Sequence, residues 1–161
     1  MTLFRFREEE FETAYKQHAD VLYRLAFSYL KNREDAEDVV QDTFVKYFCG
    51  FHVPISGEQE RAWLIRVTIN RCHDLLRKRS YRMHDSLDDA MDLAVKEDPE
   101  VKELMETVWS LPETYKDVIV LHYLEGYSVE EAARILGVSS SAIKMRLKRG
   151  RESLREELEK E

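Results

Sequence analysis

The sequence predicts an all-α protein with two small helical domains joined by an acidic flexible linker. Apolar residues recur at intervals of three and four through most of the 161 residues, which is the pattern of helices that bury one face. No segment alternates apolar and polar residues as a half-buried strand does. Gly and Pro number only 5 and 3, so long helices with short connections are expected.

The first domain is expected over residues 1–82 and contains three helices. The apolar stripes predict helices over 11–30, 33–48 and 59–79. Lys31 and Asn32 interrupt the pattern after the first helix, and a loop over 50–57 follows the second. Short connections of this kind predict a compact three-helix domain.

The second domain is expected over residues 100–161, after a linker over 83–99. The linker has one basic and six acidic residues and weak periodicity, a composition typical of a tether. In the second domain helical spacing begins at Val101, restarts at Pro112 and stops before Gly126. Proline suits the first turn of a helix, so Pro112 indicates where a new helix begins.

Targeting signals are not evident in this sequence. No apolar run approaches the roughly 18 residues that a membrane span needs, which predicts a protein that is not itself inserted in a membrane. The N-terminal MTLFRFREEE has no apolar core of a secretory signal. We therefore expect a cytoplasmic protein with reduced cysteines.

Metal or catalytic chemistry is not indicated. His18 lies on the apolar stripe of the first helix and is interpreted as a core histidine, because no second candidate ligand lies one turn away. The pairs Cys49/His52 and Cys72/His73 belong to separate elements, and there is no Gly-rich phosphate loop. We expect no metal, no cofactor, no catalytic residue and no small-molecule substrate.

Positive charge is concentrated locally although the chain is acidic. With 25 basic and 32 acidic residues, the formal net charge is −7. Residues 61–82 nevertheless hold seven Arg or Lys against Asp74 alone, and residues 134–155 hold seven against Glu152 alone. Affinity for nucleic acid depends on such local density, because bound phosphates release their counterions there. The alternative is that both stretches are solvated helix faces.

The segment SVEEAARILGVSSSAIKMRLKRGR, which begins at Ser128, has the parts of a helix-turn-helix motif. Ser128 and Glu131 predict a capping box, Gly137 supplies the turn, and Ile143 is suited to the crevice between two helices. The outer face of the last helix then presents Ser141, Lys144, Met145, Lys148, Arg149 and Arg151. A helix with such a face fits the DNA major groove; the alternative is a basic surface helix of a bundle.

A second basic face is predicted on the helix over 59–79. Arg66, Asn70, His73 and Arg77 recur at intervals of four, three and four residues, so they are expected on one side, with Trp63 one turn earlier. Basic side chains beside an exposed aromatic ring are typical of proteins that hold an unstacked single strand. The alternative interpretation of Trp63 is an ordinary core residue.

The helix over 33–48 has a polar face that is acidic. This face carries Asp35, Asp38, Gln41, Asp42 and Lys46. Its negative charge cannot hold a DNA phosphate. It is either a solvated face or a docking site for a basic protein surface.

Taken together and in this order, the three segments resemble the extracytoplasmic-function group of bacterial sigma factors. DAEDVVQDTFVKYF resembles the helix with which the family binds core RNA polymerase. RAWLIRVTINRCHDLLRKR resembles its helix for the promoter −10 element. LPETYKDVIVLHYLEGYSVEEAARILGVSSSAIKMRLKRGRESLR is similar to its −35-reading domain. The resemblance covers nearly the whole chain.

The resemblance implies a role for each set of residues. At or near the contact with the polymerase clamp it places Asp35, Asp38, Gln41, Asp42, Phe44 and Lys46. At or near the melted −10 strand it places Trp63, Arg66, Asn70, His73 and Arg77, with Asn70 next to the extruded base. On the −35 duplex it places Ser141, Lys144, Met145, Arg146, Lys148, Arg149 and Arg151. It further implies that the linker runs near the RNA exit path and that an anti-sigma factor, often membrane-bound, is a partner.

Two functions remain open at this point. The first is a promoter-specificity subunit that binds core polymerase and promoter DNA, in a stress or envelope response, and has no chemistry of its own. The second is a stand-alone helix-turn-helix regulator that binds a palindromic DNA site as a dimer. Footprinting on free DNA, without polymerase, separates the two.

Overall fold

The computed structural model describes residues 2–49, 57–81 and 98–160, with side chains placed over 8–49, 57–79 and 98–160. Every element within these residues is helical, in agreement with the predicted all-α class. The chain divides into two compact units, Met1–Leu93 and Ala94–Glu161. Most of the predicted loop over 50–57 and of the predicted linker over 83–99 lies outside the described residues.

The first unit contains three helices. They are α1 (Thr2–Leu30), α2 (Arg33–Cys49) and α3 (Glu58–Tyr81). The helix predicted over 11–30 therefore begins nine residues earlier, at Thr2. The periodicity of apolar residues detects only the part of a helix that packs on a core. The four glutamates among residues 8–12 favour a helix by their intrinsic propensity, but they add no apolar stripe that would reveal it.

Local hydrogen bonds explain the sharp break between α1 and α2. Lys31 adopts a left-handed conformation with φ 57°, and its N–H donates to the carbonyl of Phe27 at 2.8 Å. The Asn32 side chain then accepts from the N–H of Asp35 at 3.0 Å, which caps α2. The interruption predicted at these two residues is confirmed.

The core of the first unit lies between the inner faces of its helices. Its fully buried residues come from all three helices and include Leu22, Leu25, Phe44, Leu64 and Ile65. Burial of each such side chain contributes about 1.5–3 kcal/mol to folding. This core decides which residues of α2 and α3 face outward.

One buried polar cluster joins the three helices. The Tyr47 hydroxyl donates to the carboxylate of Glu60, and Nε2 of His18 lies 3.6 Å from the second carboxylate oxygen. His18 is only 7 % exposed, so its interpretation as a core histidine is confirmed. Burial, and next the hydrogen bond with Glu60, raise the pKa of Tyr47 above its usual range.

The second unit is built from shorter helices. In chain order they are α4 (Pro99–Ser110), α5 (Glu113–Ile119), a π-helical turn (Val120–Leu124), α6 (Val129–Leu136) and α7 (Ser140–Glu159). Pro112 immediately precedes α5, in agreement with the predicted restart. The π-helical turn was not predicted; it ends α5 with a bond from the N–H of Glu125 to the carbonyl of Val120.

The predicted helix-turn-helix boundaries are confirmed by their capping geometry. Ser128 and Glu131 exchange both bonds of a capping box at 3.1 Å. Gly137 ends α6 with φ 69°, a conformation that favours glycine. The Ser139 hydroxyl accepts from the N–H of Ala142 at 3.1 Å and begins α7. Ile143 is fully buried, as expected for the crevice residue.

Helix α7 passes very close to α5. A Cβ at Gly150 would lie 3.2 Å from Cγ1 of Ile119 and 3.5 Å from Cβ of Tyr115. Ile143 and Leu147 are buried on the same side of α7. Glycine at position 150 therefore permits the helix spacing that fixes how α7 is oriented in its unit.

The substitution Gly150→Leu is expected to destabilise the second unit. The added side chain must displace Ile119 and separate α5 from α7, and overpacking of this kind costs about 1–3 kcal/mol. Thermal unfolding followed by circular dichroism measures the change, with Glu156→Leu at an exposed α7 position as the control. An unchanged midpoint for Gly150→Leu would contradict the close approach of the helices.

The raised pKa of Tyr47 predicts a loss of stability in alkali. Below about pH 10 the phenol is protonated in the folded and the unfolded chain; above it the unfolded chain releases a proton that the folded one retains. The free energy of unfolding therefore falls as the pH rises through that range. Urea unfolding at several pH values should show a shallower fall for Tyr47→Phe. If the free energy of unfolding fell equally with pH in both proteins, the raised pKa of Tyr47 would not be the cause of the fall.

Candidate nucleic-acid interface

Helix α7 buries one side and presents the opposite side to solvent. The buried side holds Ile143, Leu147 and Gly150. The α7 basic face is the set of residues predicted for the −35 duplex. Six of them are exposed and Arg146 is partly buried, the six being Ser141, Lys144, Met145, Lys148, Arg149 and Arg151. The side chains predicted to face outward therefore do so.

Most of the basic residues of α7 lie together between Lys144 and Arg151. Five basic residues and no acidic one occur from Lys144 to Arg151, a span of roughly 10 Å along the helix axis. Beyond that span four glutamates occur before the helix ends at Glu159. An anionic ligand is therefore attracted to the N-terminal half and repelled from the C-terminal half.

Residues of another element also reach the α7 basic face. The Arg151 guanidinium donates to the hydroxyl of Tyr123 at 3.1 Å. Tyr123 belongs to the π-helical turn and is 53 % exposed. Sequence reasoning missed this residue, because nothing in the local pattern brings positions 28 residues apart into contact.

Three of the residues predicted on the basic side of α3 are exposed. They are Arg66, Asn70 and Arg77. Arg77 also pairs with Asp74 on the same helix at 3.4 Å, and both side chains are more than half exposed. A pair of this kind contributes at most about 1 kcal/mol, so a phosphate could replace Asp74 as the partner of Arg77.

The prediction that His73 shares this exposed side is wrong. Its side chain is 5 % exposed and its ring meets the ring of Tyr29 edge-on, with the centroids 5.5 Å apart. Tyr29 lies in the last turn of α1. The end of α1 therefore covers the part of α3 on which His73 lies. A helical wheel of α3 alone does not contain this neighbour.

Trp63 is neither a fully exposed aromatic residue nor an ordinary core residue, the two interpretations that the sequence left open. Its side chain is partly buried, and its ring centroid lies 5.9 Å from that of Tyr47 at a tilt of 58°. One side of the indole therefore contacts a core aromatic residue while part of it remains accessible.

The acidic side of α2 is the third surface. Asp38, Gln41 and Lys46 are exposed, whereas Asp35 and Asp42 are partly buried. Phe44, which the resemblance places at or near the polymerase contact, does not reach this surface. This side chain is 1 % exposed, because its ring packs against Phe11 and Tyr15 of α1. Phe44 supports the surface from below and does not belong to it.

Two carboxylates of α2 are bound by arginines of α3. Asp42 accepts from Nε of Arg71 at 3.2 Å, and Asp35 pairs with Arg79. Arg79 also donates to the carbonyl of Leu30 at 2.9 Å. These contacts fix α2 against α3 and partly compensate the negative charge of the surface.

Val45 is a further member of the α2 surface that the sequence analysis missed. It is 59 % exposed and is four residues beyond Gln41 and three beyond Asp42. Its position on the same side was readable from helical spacing. The α2 surface is defined here as Asp38, Gln41, Asp42, Val45 and Lys46.

The described residues contain no group of three or more His, Cys, Asp or Glu side chains that could hold a metal ion. The two cysteines do not form a disulfide; Cys49 is exposed and Cys72 is buried. No helix in the part of the chain that the structure describes is both long enough and apolar enough to cross a membrane.

Comparison with protein families assigns both units. The family described as Sigma-70 region 2 matches residues 14–82, and the family described as Sigma-70, region 4 matches residues 102–154. The RNA polymerase sigma factor SigV of Bacillus subtilis is 31 % identical over 151 residues, which cover 92 % of this chain and 91 % of that protein. The ECF RNA polymerase sigma factor SigE of Mycolicibacterium smegmatis is 35 % identical over 155 residues, covering 90 % of this chain but only 60 % of that longer protein.

Solved structures give the same assignment. CnrH in complex with the cytosolic domain of CnrY matches with a TM-score of 0.67 and 30 % identity, over 96 % of this chain and 90 % of that one. The sigma factor RpoE of Bartonella quintana, in complex with the anti-sigma factor NepR, shares the fold with a TM-score of 0.62 and 24 % identity, over 94 % and 98 % of the two chains. Because both sigma-70 families match in order and SigV of Bacillus subtilis matches at 31 % identity over 91 % of its length, the chain belongs to the extracytoplasmic-function group of the sigma-70 family of RNA polymerase sigma factors.

Proposed function

We propose that this chain binds core RNA polymerase and directs it to promoters whose −10 and −35 elements it contacts itself. The observation that carries the proposal is the order of three surfaces along the chain: an acidic one on α2, a basic one on α3 and a basic one on α7. The polymerase supplies the chemistry, so the chain acts in the cytoplasm as a non-enzymatic subunit. Residues 1–82 and 100–161 are the two functional domains, and the acidic segment 83–99 links them.

The α7 basic face is suited to the −35 duplex. A helix fits the major groove, where side chains near its N-terminus meet base edges and flanking cations meet phosphates. Ser141, Lys144 and Met145 lie in the first two turns and are exposed. We assign base contacts to these residues and phosphate contacts to Lys148, Arg149 and Arg151. Arg146 is partly buried and supports the face from its edge.

The outward side of α3 is suited to the melted −10 strand. Unstacked bases bind to aromatic side chains, and cations beside them hold the backbone. Trp63 has an accessible part, and Arg66, Asn70 and Arg77 are exposed on the helix that carries it. Extrusion of a base costs a few kcal/mol, which stacking and edge hydrogen bonds return. His73 has an indirect part in this function, since it holds α3 against Tyr29.

The α2 surface is suited to a basic protein surface on the polymerase clamp. Val45 supplies an exposed apolar centre, and Asp38, Gln41 and Lys46 surround it with polar groups. Apolar centres with polar rims are the usual arrangement of protein interfaces. Asp42 contributes part of its charge, because Arg71 already binds it.

An anti-sigma factor is the further partner that we propose. Two solved structures similar to this chain are complexes, one with an anti-sigma factor and one with the cytosolic domain of CnrY. A partner that covers the α2 surface or the α7 basic face would prevent holoenzyme formation or promoter binding. We propose that the signal which releases it belongs to a stress or envelope response.

Reconstitution with core RNA polymerase tests the function as a whole. Run-off transcription on a library of genomic promoter fragments, followed by mapping of start sites, should recover transcripts that depend on this chain. Absence of a stable complex with core polymerase would refute the proposal. A footprint of a dimer on free palindromic DNA, without polymerase, would instead establish the stand-alone regulator.

Reversal of charge on α2 is expected to weaken the complex with core polymerase. Asp38→Lys places a cation against the basic partner surface, and one opposed charge in an interface typically costs tenfold or more in affinity. Fluorescence titration of labelled chain with core polymerase measures the loss. Glu12→Lys, an exposed reversal on α1, is the matched control. Equal affinities for Asp38→Lys and the control would exclude α2 from the interface.

Neutralisation on α7 is expected to weaken promoter binding in a salt-dependent way. Each of Lys148→Gln and Arg149→Gln should lower the slope of log affinity against log salt by about 0.9, because each removes one phosphate contact. Holoenzyme binding to a recovered promoter, measured at several salt concentrations, gives the slope. Arg155→Gln removes an exposed cation from the acidic half of the same helix and should leave it unchanged. Equal slopes for all variants would mean that the α7 basic face does not bind DNA.

A further inference from the structure

Tyr123 occupies an unusual place beside the α7 basic face. It comes from the π-helical turn, its side chain is 53 % exposed, and its hydroxyl accepts a hydrogen bond from Arg151 at 3.1 Å. The preceding residues Val120 and Leu121 are buried in the core. The first two apolar residues of the turn therefore lie inside, and the Tyr123 ring lies outside, next to α7.

The orientation of the Tyr123 ring is restricted by His122. The two rings meet at 71° with centroids 5.0 Å apart. Nδ1 of His122 lies 2.7 Å from the carbonyl oxygen of Tyr127. A carbonyl oxygen only accepts, so Nδ1 donates this bond and the imidazole is held in place. A contiguous set of contacts thus runs from the backbone at Tyr127 through two rings to Arg151.

The contact between Tyr123 and Arg151 differs from the carboxylate contacts of Arg71 and Arg79. Arg71 and Arg79 are bound by carboxylates, which offset their charge. The phenol of Tyr123 is neutral, so Arg151 keeps its full positive charge while its guanidinium is held. Within the described residues one of the five N–H donors of Arg151 bonds to Tyr123, and the phenol O–H remains able to donate.

An exposed arginine loses side-chain entropy when it binds a phosphate, and an arginine that is already held loses less. From this geometry we propose that Tyr123 is a positioning residue for DNA binding. Its hydroxyl holds Arg151 at the edge of the α7 basic face, so that the guanidinium meets a phosphate of duplex DNA. The inference rests on the proposed function of α7 and adds a residue from outside the recognition helix.

The test is a double-substitution cycle in the full chain. The probe is a fluorescein-labelled DNA duplex of mixed sequence, because a phosphate contact is independent of base sequence. Anisotropy at low salt gives the affinity of wild type, Tyr123→Phe, Arg151→Gln and the double variant. We expect Tyr123→Phe to weaken binding about threefold, because an Arg151 side chain that is no longer held must lose its rotamer freedom when it binds the phosphate. Arg151→Gln should weaken it further and lower the salt slope by about 0.9.

The positioning role predicts that the two substitutions are not additive. The double variant should bind like Arg151→Gln, because without the guanidinium the hydroxyl has nothing to hold. An additive loss would overturn the proposal, since Tyr123 would then act independently of Arg151. Unchanged binding by Tyr123→Phe would overturn it as well. The thermal midpoint of Tyr123→Phe should equal that of wild type, because both partners are exposed.

Lys148→Gln separates failure of this inference from failure of the proposed function. If Lys148→Gln weakens binding to the duplex and Tyr123→Phe does not, only the positioning role is wrong. If neither variant changes the affinity for the duplex, the α7 basic face does not bind DNA, and both the positioning role and the proposed function of α7 are wrong.

Discussion

The close contact of α7 with α5 controls what the second unit can present to a ligand. Ile143 and Leu147 are buried on one side of α7, and Gly150 allows Ile119 to approach where a bulky side chain would hold the helices apart. A helix that buries one side must place its remaining residues outward. The basic residues of α7 are thus exposed as a consequence of core packing, and their direction is as rigid as the core that sets it.

The first unit uses carboxylates to arrange its cations, whereas the contact of Arg151 in the second unit is with a hydroxyl. Arg71 and Arg79 join α3 to the acidic side of α2. Such pairs fix the orientation of the two helices, but each carboxylate offsets the charge of the arginine that it binds. Arg151, bound to the Tyr123 hydroxyl, is ordered without such an offset. The difference matches a structural role for the former pairs and a ligand-binding role for Arg151.

The features that the sequence predicted correctly are local. The capping box of Ser128 and Glu131, the left-handed Gly137 and the break after Leu30 each depend on residues within one turn, so short-range rules suffice. The errors arise where a tertiary neighbour decides. His73 lies on the outward side of a helical wheel and is nevertheless covered by Tyr29. Phe44 was already on the apolar stripe of α2, and its burial agrees with that stripe.

Contacts between distant positions were beyond reach for the same reason. Asp42 and Arg71 are 29 residues apart, and Tyr123 and Arg151 are 28 apart. No periodicity within one helix contains the position of a second helix, and the π-helical turn that exposes Tyr123 has no signal in the sequence. The sequence therefore predicted which helices carry the surfaces, while the structure was needed to show which side chains are held and by what.

The net charge of −7 is compatible with promoter binding because the cations are grouped. An acidic chain repels DNA at long range, and each basic surface covers only a few turns of one helix, so each alone binds weakly. Two weak surfaces on one chain bind one DNA molecule much more strongly together, because the second contact forms at high effective concentration. If core polymerase holds both surfaces on the same promoter, it supplies this effective concentration. Weak binding of each surface to DNA is then an advantage, since it limits binding away from the holoenzyme.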